Sequence, residues 1–246
     1  MYHSIDPSDS PISVSAPAFR RHVEWLASGR VRVVPLLELL HAPDDADAVA
    51  LTFDDGFVNF GEIAAPLLRS HGLPATLFVV AEHAGGTNAW SGVETPGIPV
   101  LPLLDWADLD ALARQGITIG AHTATHPRLD GVPAAELPAE IVGGAETIER
   151  RLGLAPTTFA YPYGAMSADA VRLVRERFAV GVSTELRPVG PADDRAALPR
   201  VDMYYLRGPG RLESWGSPAF RRRLWLRAQA RRVRQYVVSD HGRIAT

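Results

Sequence analysis

Short apolar runs alternate with amphipathic stretches along this 246-residue chain. Ala48-Val49-Ala50-Leu51 opens an apolar run over 48–53 that reads as a buried strand, and 75–80, 117–121 and 157–161 read the same way. Between these runs, 58–70, 105–115, 134–152 and 167–177 carry the helical pattern. Two more strands are expected near 178–183 and 198–203. Upstream, Ser15 is placed to cap a helix that runs to about Ser28, with Phe19, Val23 and Leu26 along one face. Val31 to Val34 reads as a short strand and Leu36 to Leu40 as a short helix. The rhythm predicts parallel strands joined by crossover helices, in either a barrel or a doubly wound sheet. No internal repeat is visible.

Two segments break the rhythm. Residues 83–104 form a long loop, and a loop of that length in a compact domain is often functional. Its Trp90 suits either a stack on a sugar ring or a buried loop anchor. The second segment starts at Ser217-Pro218, a good cap and first-turn pair, and continues through Phe220-Arg221-Arg222-Arg223-Leu224-Trp225-Leu226-Arg227. This predicts an amphipathic basic helix packed on the domain. Its arginine face is either simply solvated or a membrane-surface or phosphate contact over 217–238. The organisation expected is a domain over 1–210 followed by the basic helix and tail over 211–246.

Composition narrows the function classes. Hydrophobic residues make up 46% of the chain, enough for a soluble globular core. A net charge of −3 argues against nucleic-acid binding by the whole chain. Every basic residue is arginine, which points to a GC-rich genome more than to a function. The absence of cysteine excludes disulfides, thiolate ligands and a thiol nucleophile. No stretch approaches the ~20 apolar residues of a membrane span, and no secretory leader is seen, so a cytoplasmic location is expected of the chain as written. Met1-Tyr2-His3-Ser4 lies so close to a strand end that an upstream half is conceivable, and with it an extracytoplasmic location.

The chemistry gathers at three strand ends. Thr52-Phe53-Asp54-Asp55-Gly56 closes the first apolar run. Two adjacent carboxylates there are costly unless a cation or hydrogen bonds compensate them, although Asp-Asp-Gly is also ordinary turn and cap chemistry. Gly116 to Ala121 leads into His122-Thr123-Ala124-Thr125-His126-Pro127. Two histidines four apart in such a loop can converge on one ion, and imidazole with carboxylate suits zinc and its first-row neighbours. The distant Asp-Asp pair favours that metal reading over chance. The third motif, Thr157-Thr158-Phe159-Ala160-Tyr161-Pro162-Tyr163-Gly164, is a strand and a Pro/Gly turn, with Ser167 suited to start the next helix.

Together and in this order, TFDDG, HTATHP and FAYPYG resemble the polysaccharide deacetylases of the NodB-homology group, carbohydrate esterase family 4. The resemblance spans roughly residues 1–205 and implies a distorted (β/α)7-type barrel followed here by the basic helix. By motif match, Asp55, His122 and His126 are the metal ligands, with zinc expected and cobalt, nickel or manganese as alternatives. Asp54 matches the general base, and the backbone N–H of Tyr163 the oxyanion donor. Tyr161, Pro162 and Trp90 are put forward as substrate contacts.

Two departures from the family pattern matter. Its third motif commonly carries an arginine where this chain has Ala160, and Arg200, in Leu198-Pro199-Arg200-Val201-Asp202, is offered as the substitute. The family usually ends in a Leu-x-His motif whose histidine is the general acid. No such motif occurs near this C-terminus, where His241 lacks the leucine. Met1-Tyr2-His3 resembles the motif moved to the front, as in the FAYPYG-containing subset, so His3 is the expected acid. The function implied is metal-dependent removal of acetyl from an N-acetylated sugar or glycan. The alternatives are hydrolysis of another C–N bond, as in cyclic ureides or imides, and a non-catalytic carbohydrate-binding relative.

Overall fold

The computed structural model describes residues 1–43 and 47–241. The last five residues of the expected C-terminal segment, 242–246, lie outside that range. In chain order, α1 (Ala16–Ala27) and β1 (Arg32–Val33) precede the short helix α2 (Leu36–Leu39). The apolar run expected over 48–53 divides at Ala50. Its first part, β2 (Ala48–Val49), pairs with β1, and its second, β3 (Leu51–Phe53), enters the main sheet.

Helix α3 (Ala65–Ser70), β4 (Ala75–Val79), α4 (Trp106–Arg114), β5 (Thr118–Ala121), α5 (Gly144–Leu152), β6 (Thr158–Ala160), α6 (Ala168–Arg177) and β7 (Val180–Val182) then alternate before α7 (Pro218–His241). Five parallel strands run in the order β3-β4-β5-β6-β7. All residues of β3, β4, β6 and β7 are buried, as strands covered on both faces require.

The sheet curls until its edges meet. On one side, the Tyr2 N–H donates to the Thr52 carbonyl at 2.8 Å and the Asp54 N–H to that of Tyr2 at 3.0 Å. On the other, the Leu198 N–H donates to Gly181 and the Ser183 N–H to Leu198, both at 2.8 Å. The seam closes where the Met1 nitrogen donates to the Val201 carbonyl at 2.6 Å and the Met203 N–H to that of Met1 at 3.0 Å. The result is an α/β fold built on a curled parallel sheet, a distorted barrel of the kind expected.

Two local expectations fail. Residues 198–203 form no strand. Leu198 makes a single bridge to Val182 and the chain then tightens into a 3-10 turn over Met203–Leu206, because Pro199 has no N–H to continue a ladder. Ser15 sits at the start of α1 but its side chain makes no cap bond.

The principal core lies between the sheet and the helices. Tyr2 stacks on Phe53 with ring centres 4.9 Å apart, and Phe19 and Phe60 meet Phe53 edge-on. Burying each such ring contributes about 2 kcal/mol, so this cluster anchors the N-terminal segment against β3. Leu212, Phe220 and Leu224 join the same core, which seats the first turns of α7 on the barrel. A smaller cluster of Leu36, Phe78, Ala160, Val180, Val182 and Leu198 makes up a separate apolar group.

A buried histidine ties these parts together. His22 Nε2 lies 3.1 Å from the Leu206 carbonyl and Nδ1 3.1 Å from the Tyr2 hydroxyl. Nε2 therefore carries the proton and Nδ1 accepts from Tyr2. Burial lowers His22 from 6.5 to about 4, with the Leu206 carbonyl opposing that shift. The unfolded chain thus takes up this proton first. The stabilisation is complete above pH 6.5 and is lost as pH falls towards 4, amounting to about 3 kcal/mol. Urea unfolding at a series of pH values should show this slope in the wild type and a correspondingly flatter profile in His22→Gln. Parallel profiles would contradict the assignment.

Candidate active site

The three motifs meet at the C-terminal ends of the strands, where loops of parallel α/β barrels carry their chemistry. Beyond β3, Asp55 and Gly56 are both left-handed, at φ 73 and 82, and the chain turns sharply with the Asp55 side chain retained in the barrel mouth. Beyond β5, Thr123 and His126 are also left-handed, at φ 66 and 67. Non-glycine residues hold such backbone only when their surroundings enforce it.

Here the enforcement is visible. Glu140 accepts from the Thr125 N–H at 3.0 Å and from its hydroxyl at 2.7 Å, while the Glu140 carbonyl accepts from the Ala124 N–H at 3.0 Å. The Thr123 hydroxyl oxygen accepts from the His126 N–H at 2.9 Å. Beneath the loop, a Cβ on Gly144 would lie 2.7 Å from the Ala124 nitrogen, so only glycine permits that approach. Glu140 belongs to a π-helical turn, Ala139–Gly143, a distortion often found beside functional sites.

Asp55, His122 and His126 are all buried, and one ligand atom from each lies within 4.8 Å of the others. Asp55 Oδ1 is 3.4 Å from His122 Nε2 and 3.3 Å from His126 Nε2. His122 Nδ1 donates to the Ala160 carbonyl at 2.7 Å, which frees Nε2 as a ligand and fixes the ring. Asp55 Oδ1 is a buried carboxylate oxygen without a hydrogen-bond partner, and an orphan of that kind facing two imidazoles fits a cation.

The electrostatics agree. Burial opposes charge on Asp55, yet the imidazoles of His122 and His126 facing its carboxylate hold it well below 3.8. Burial likewise opposes charge on His122, and Asp55 and Asp54 nonetheless lift it above 6.5. Burial prevails at His126, which is lowered. This is a nitrogen and oxygen donor set suited to a divalent metal.

Asp54 points the other way. Its two oxygens accept from Arg200 Nη1 and Nη2, each at 2.7 Å, in a bidentate pair. Arg200 is itself buried, with Nε donating to the Ser183 carbonyl at 2.8 Å and Nη1 to the Thr52 hydroxyl at 3.2 Å. Burial raises Asp54, but Arg200 and then His3 outweigh it, leaving the carboxyl below 3.8. His3 Nε2 lies 3.9 Å from Asp54 Oδ2, with its side chain 19% exposed.

The His3 segment is held from β3's own loop. Asn59 accepts from the Ile5 N–H at 3.0 Å and donates to the Ser4 hydroxyl at 2.7 Å. Asn59 and Glu140 were not legible as site residues. The only sequence signal for Asn59 is its place four residues after Asp55.

The third motif supplies a strained turn. Tyr163 is left-handed at φ 59, and Thr184 Oγ1 donates to its carbonyl at 3.1 Å. Gly164, at φ 69, leaves no space for a Cβ, which would meet the Thr184 nitrogen at 2.9 Å. The Tyr163 ring is 47% exposed and meets His126 edge-on at 4.8 Å.

The expected substrate contacts divide. Tyr161 is fully buried and its hydroxyl donates to the Ala196 carbonyl at 2.7 Å, so it packs the barrel and cannot reach a ligand. Pro162 is buried as well. Trp90 is half-buried and stacks on the His126 ring at 4.2 Å, so one face of the indole is already occupied by an expected metal ligand. A cavity of about 660 Å³, lined by Leu36, Ala50, Thr52, Val182, Leu198 and Arg200, reaches the guanidinium that clamps Asp54 but holds none of the three ligands.

Fold and site together define a barrel hydrolase with a metal-binding centre. The polysaccharide deacetylase family profile matches residues 41–178. YxkH of Bacillus subtilis, named as a polysaccharide deacetylase, is 25% identical over 207 residues, covering 82% of this chain and 69% of that protein. The poly-β-1,6-N-acetyl-D-glucosamine N-deacetylase of Staphylococcus aureus is 24% identical over 204 residues, covering 77% and 67%. Among solved structures, IcaB from Ammonifex degensii superposes with a TM-score of 0.70 at 23% identity, covering 89% of this chain and 94% of that one. The Streptococcus pyogenes deacetylase PplD gives 0.68 at 19%, covering 82% and 89%. The chain belongs to the polysaccharide deacetylase family, hydrolases of carbon–nitrogen bonds other than peptide bonds.

Proposed function

We propose that this protein removes acetyl groups from an N-acetylated glycan, using a divalent metal of the zinc class held by Asp55, His122 and His126. The observation that carries the reading is the pairing of that buried trio with a second carboxylate, Asp54, clamped by Arg200 and facing His3. When bound, the metal supplies Lewis acidity to water and to the amide carbonyl.

The chain's own groups manage the protons. Asp54, kept ionised by Arg200, takes a proton from the attacking water. The water oxygen forms the new bond to the acetyl carbon, and the backbone N–H of Tyr163 donates to the carbonyl oxygen as negative charge develops there. The C–N bond then breaks, His3 gives a proton to the leaving sugar nitrogen, and acetate and a free amine result. Arg200 thus stands in for the arginine absent at Ala160. With His3 ahead of Asp54 in the chain, the motif order is that of the permuted, FAYPYG-containing subset. Trp90 and the exposed Tyr163 ring flank the approach and favour a sugar face.

Acetate release from a panel of N-acetylated sugars and oligomers, with and without chelator, tests the reading. Chelator-sensitive release is expected. Protein that takes up no divalent metal, or that hydrolyses only cyclic ureides or imides in the same panel, would overturn it. His3→Ala is expected to keep its metal content and melting curve while turnover falls by about 10²–10⁴. Full turnover in that variant would remove His3 from the mechanism.

A further inference from the structure

Helix α7 has one face in the core and another that the core does not explain. Phe220 and Leu224 are buried and Ala228 is half-buried, in line along the inner side. Trp225 and Leu226 lie beyond them, 60% and 51% exposed. Trp225 is the one tryptophan among the described residues exposed on this scale. A solvated basic helix has no use for this adjacent pair, since leaving them in water forgoes the burial available to each.

The charge around the pair is of one sign. Between 218 and 239 the sequence has arginine at 221, 222, 223, 227, 231, 232 and 234 and no acidic residue, in a chain whose net charge is −3. Arg223 reaches Ser214, Arg227 covers the Tyr205 ring and Arg231 approaches Asp202. Arg221 and Arg222 are exposed and have no acidic partner among the described residues. Tryptophan and leucine set among free arginines match a bilayer interface, where the indole lies at headgroup depth and guanidinium groups meet lipid phosphates.

We propose that this face of α7 docks the protein on an anionic bilayer surface, with Trp225 and Leu226 entering the headgroup region and Arg221 and Arg222 meeting lipid phosphates. A soluble polyanion would engage the arginines and leave the apolar pair in water, so the pair favours a membrane. Docking stands apart from the glycan reading. Its consequence for that reading is one of place: Ala228 and Arg231 border the same crevice as Gly164 and Thr184, so a docked α7 holds the third-motif end of the barrel close to the membrane.

Co-sedimentation of the full chain with vesicles tests this, comparing phosphatidylglycerol mixed into phosphatidylcholine with phosphatidylcholine alone. The wild type is expected to partition onto the anionic vesicles and not onto the neutral ones. Trp225→Ser combined with Leu226→Ser should weaken partitioning at least about tenfold, and Arg221→Glu with Arg222→Glu about thirtyfold or more. All these side chains are exposed, so circular dichroism and acetate release from a soluble sugar should match the wild type. Wild-type partitioning that does not depend on anionic lipid would overturn the proposal. Wild-type binding by the Trp225→Ser, Leu226→Ser variant would overturn it too, since the arginines alone would then account for the binding. Failure of deacetylation with vesicle binding intact would count against the catalytic reading alone.

Discussion

Asp55→Asn is expected to abolish metal uptake under conditions that load the wild type, and acetate release with it. The substitution removes the charge of the one carboxylate among the three ligands while keeping its shape, and asparagine tolerates the left-handed backbone at φ 73. Loss of the activated water alone is worth several orders of magnitude in rate. Stability separates this outcome from misfolding. In chelator, the variant should still fold cooperatively with a wild-type circular dichroism spectrum, because asparagine keeps the side chain's shape and Asp55 Oδ1 has no hydrogen bond to lose. With metal present at about a thousand times its dissociation constant, the wild type should gain about 4 kcal/mol and the variant nothing. Calorimetric titration with zinc and thermal melts with and without it check both statements. Undiminished metal binding by Asp55→Asn would dismantle the ligand assignment.

Arg200→Leu should be the most destabilising single change in the site, by about 3–5 kcal/mol. Asp54 is buried and both its oxygens are taken up by this guanidinium. Removal leaves an unpaired carboxylate in a site that water barely reaches, and it also strands the Ser183 carbonyl. Arg200→Lys should recover part of the stability but little turnover, since an ammonium cannot hold two oxygens in the plane of a fork. Combining Arg200→Leu with Asp54→Leu should cost much less than the sum of the two single changes, because neither leaves its partner charged and buried. Additive costs in that double-mutant cycle would mean that the pair is not coupled, and Arg200 would revert to a packing role.

Much of the fold was legible along the chain. The alternation of apolar runs with helical stretches located the central strands, because strands covered on both faces of a parallel sheet have no polar side to show. The seam was not legible. Pro199 interrupts what reads as a strand over 198–203, and the Met1 and Val201 backbones complete the ring through hydrogen bonds between distant segments. Tyr161 illustrates a different limit. An aromatic beside a strand-end turn reads as a contact for substrate, yet the side-chain direction at that position sends its hydroxyl to Ala196.

The opening chemistry was written locally. Two carboxylates at a strand end, two histidines four apart after another strand and a Pro-Tyr-Gly turn after a third are short-range patterns. Parallel topology then delivers all three to the same end of the barrel. What the sequence by itself determined, therefore, was that Asp55, His122 and His126 converge at one end of the barrel. Only the tertiary structure decided what holds each of them. Arg200 lies 146 positions from Asp54, Ala160 turns its carbonyl to His122 across 38, and Trp90 covers His126 from a separate loop. No spacing rule encodes such pairs. They follow from how far the sheet curls and which side chains it turns inward, and those are set by the packing of the whole barrel.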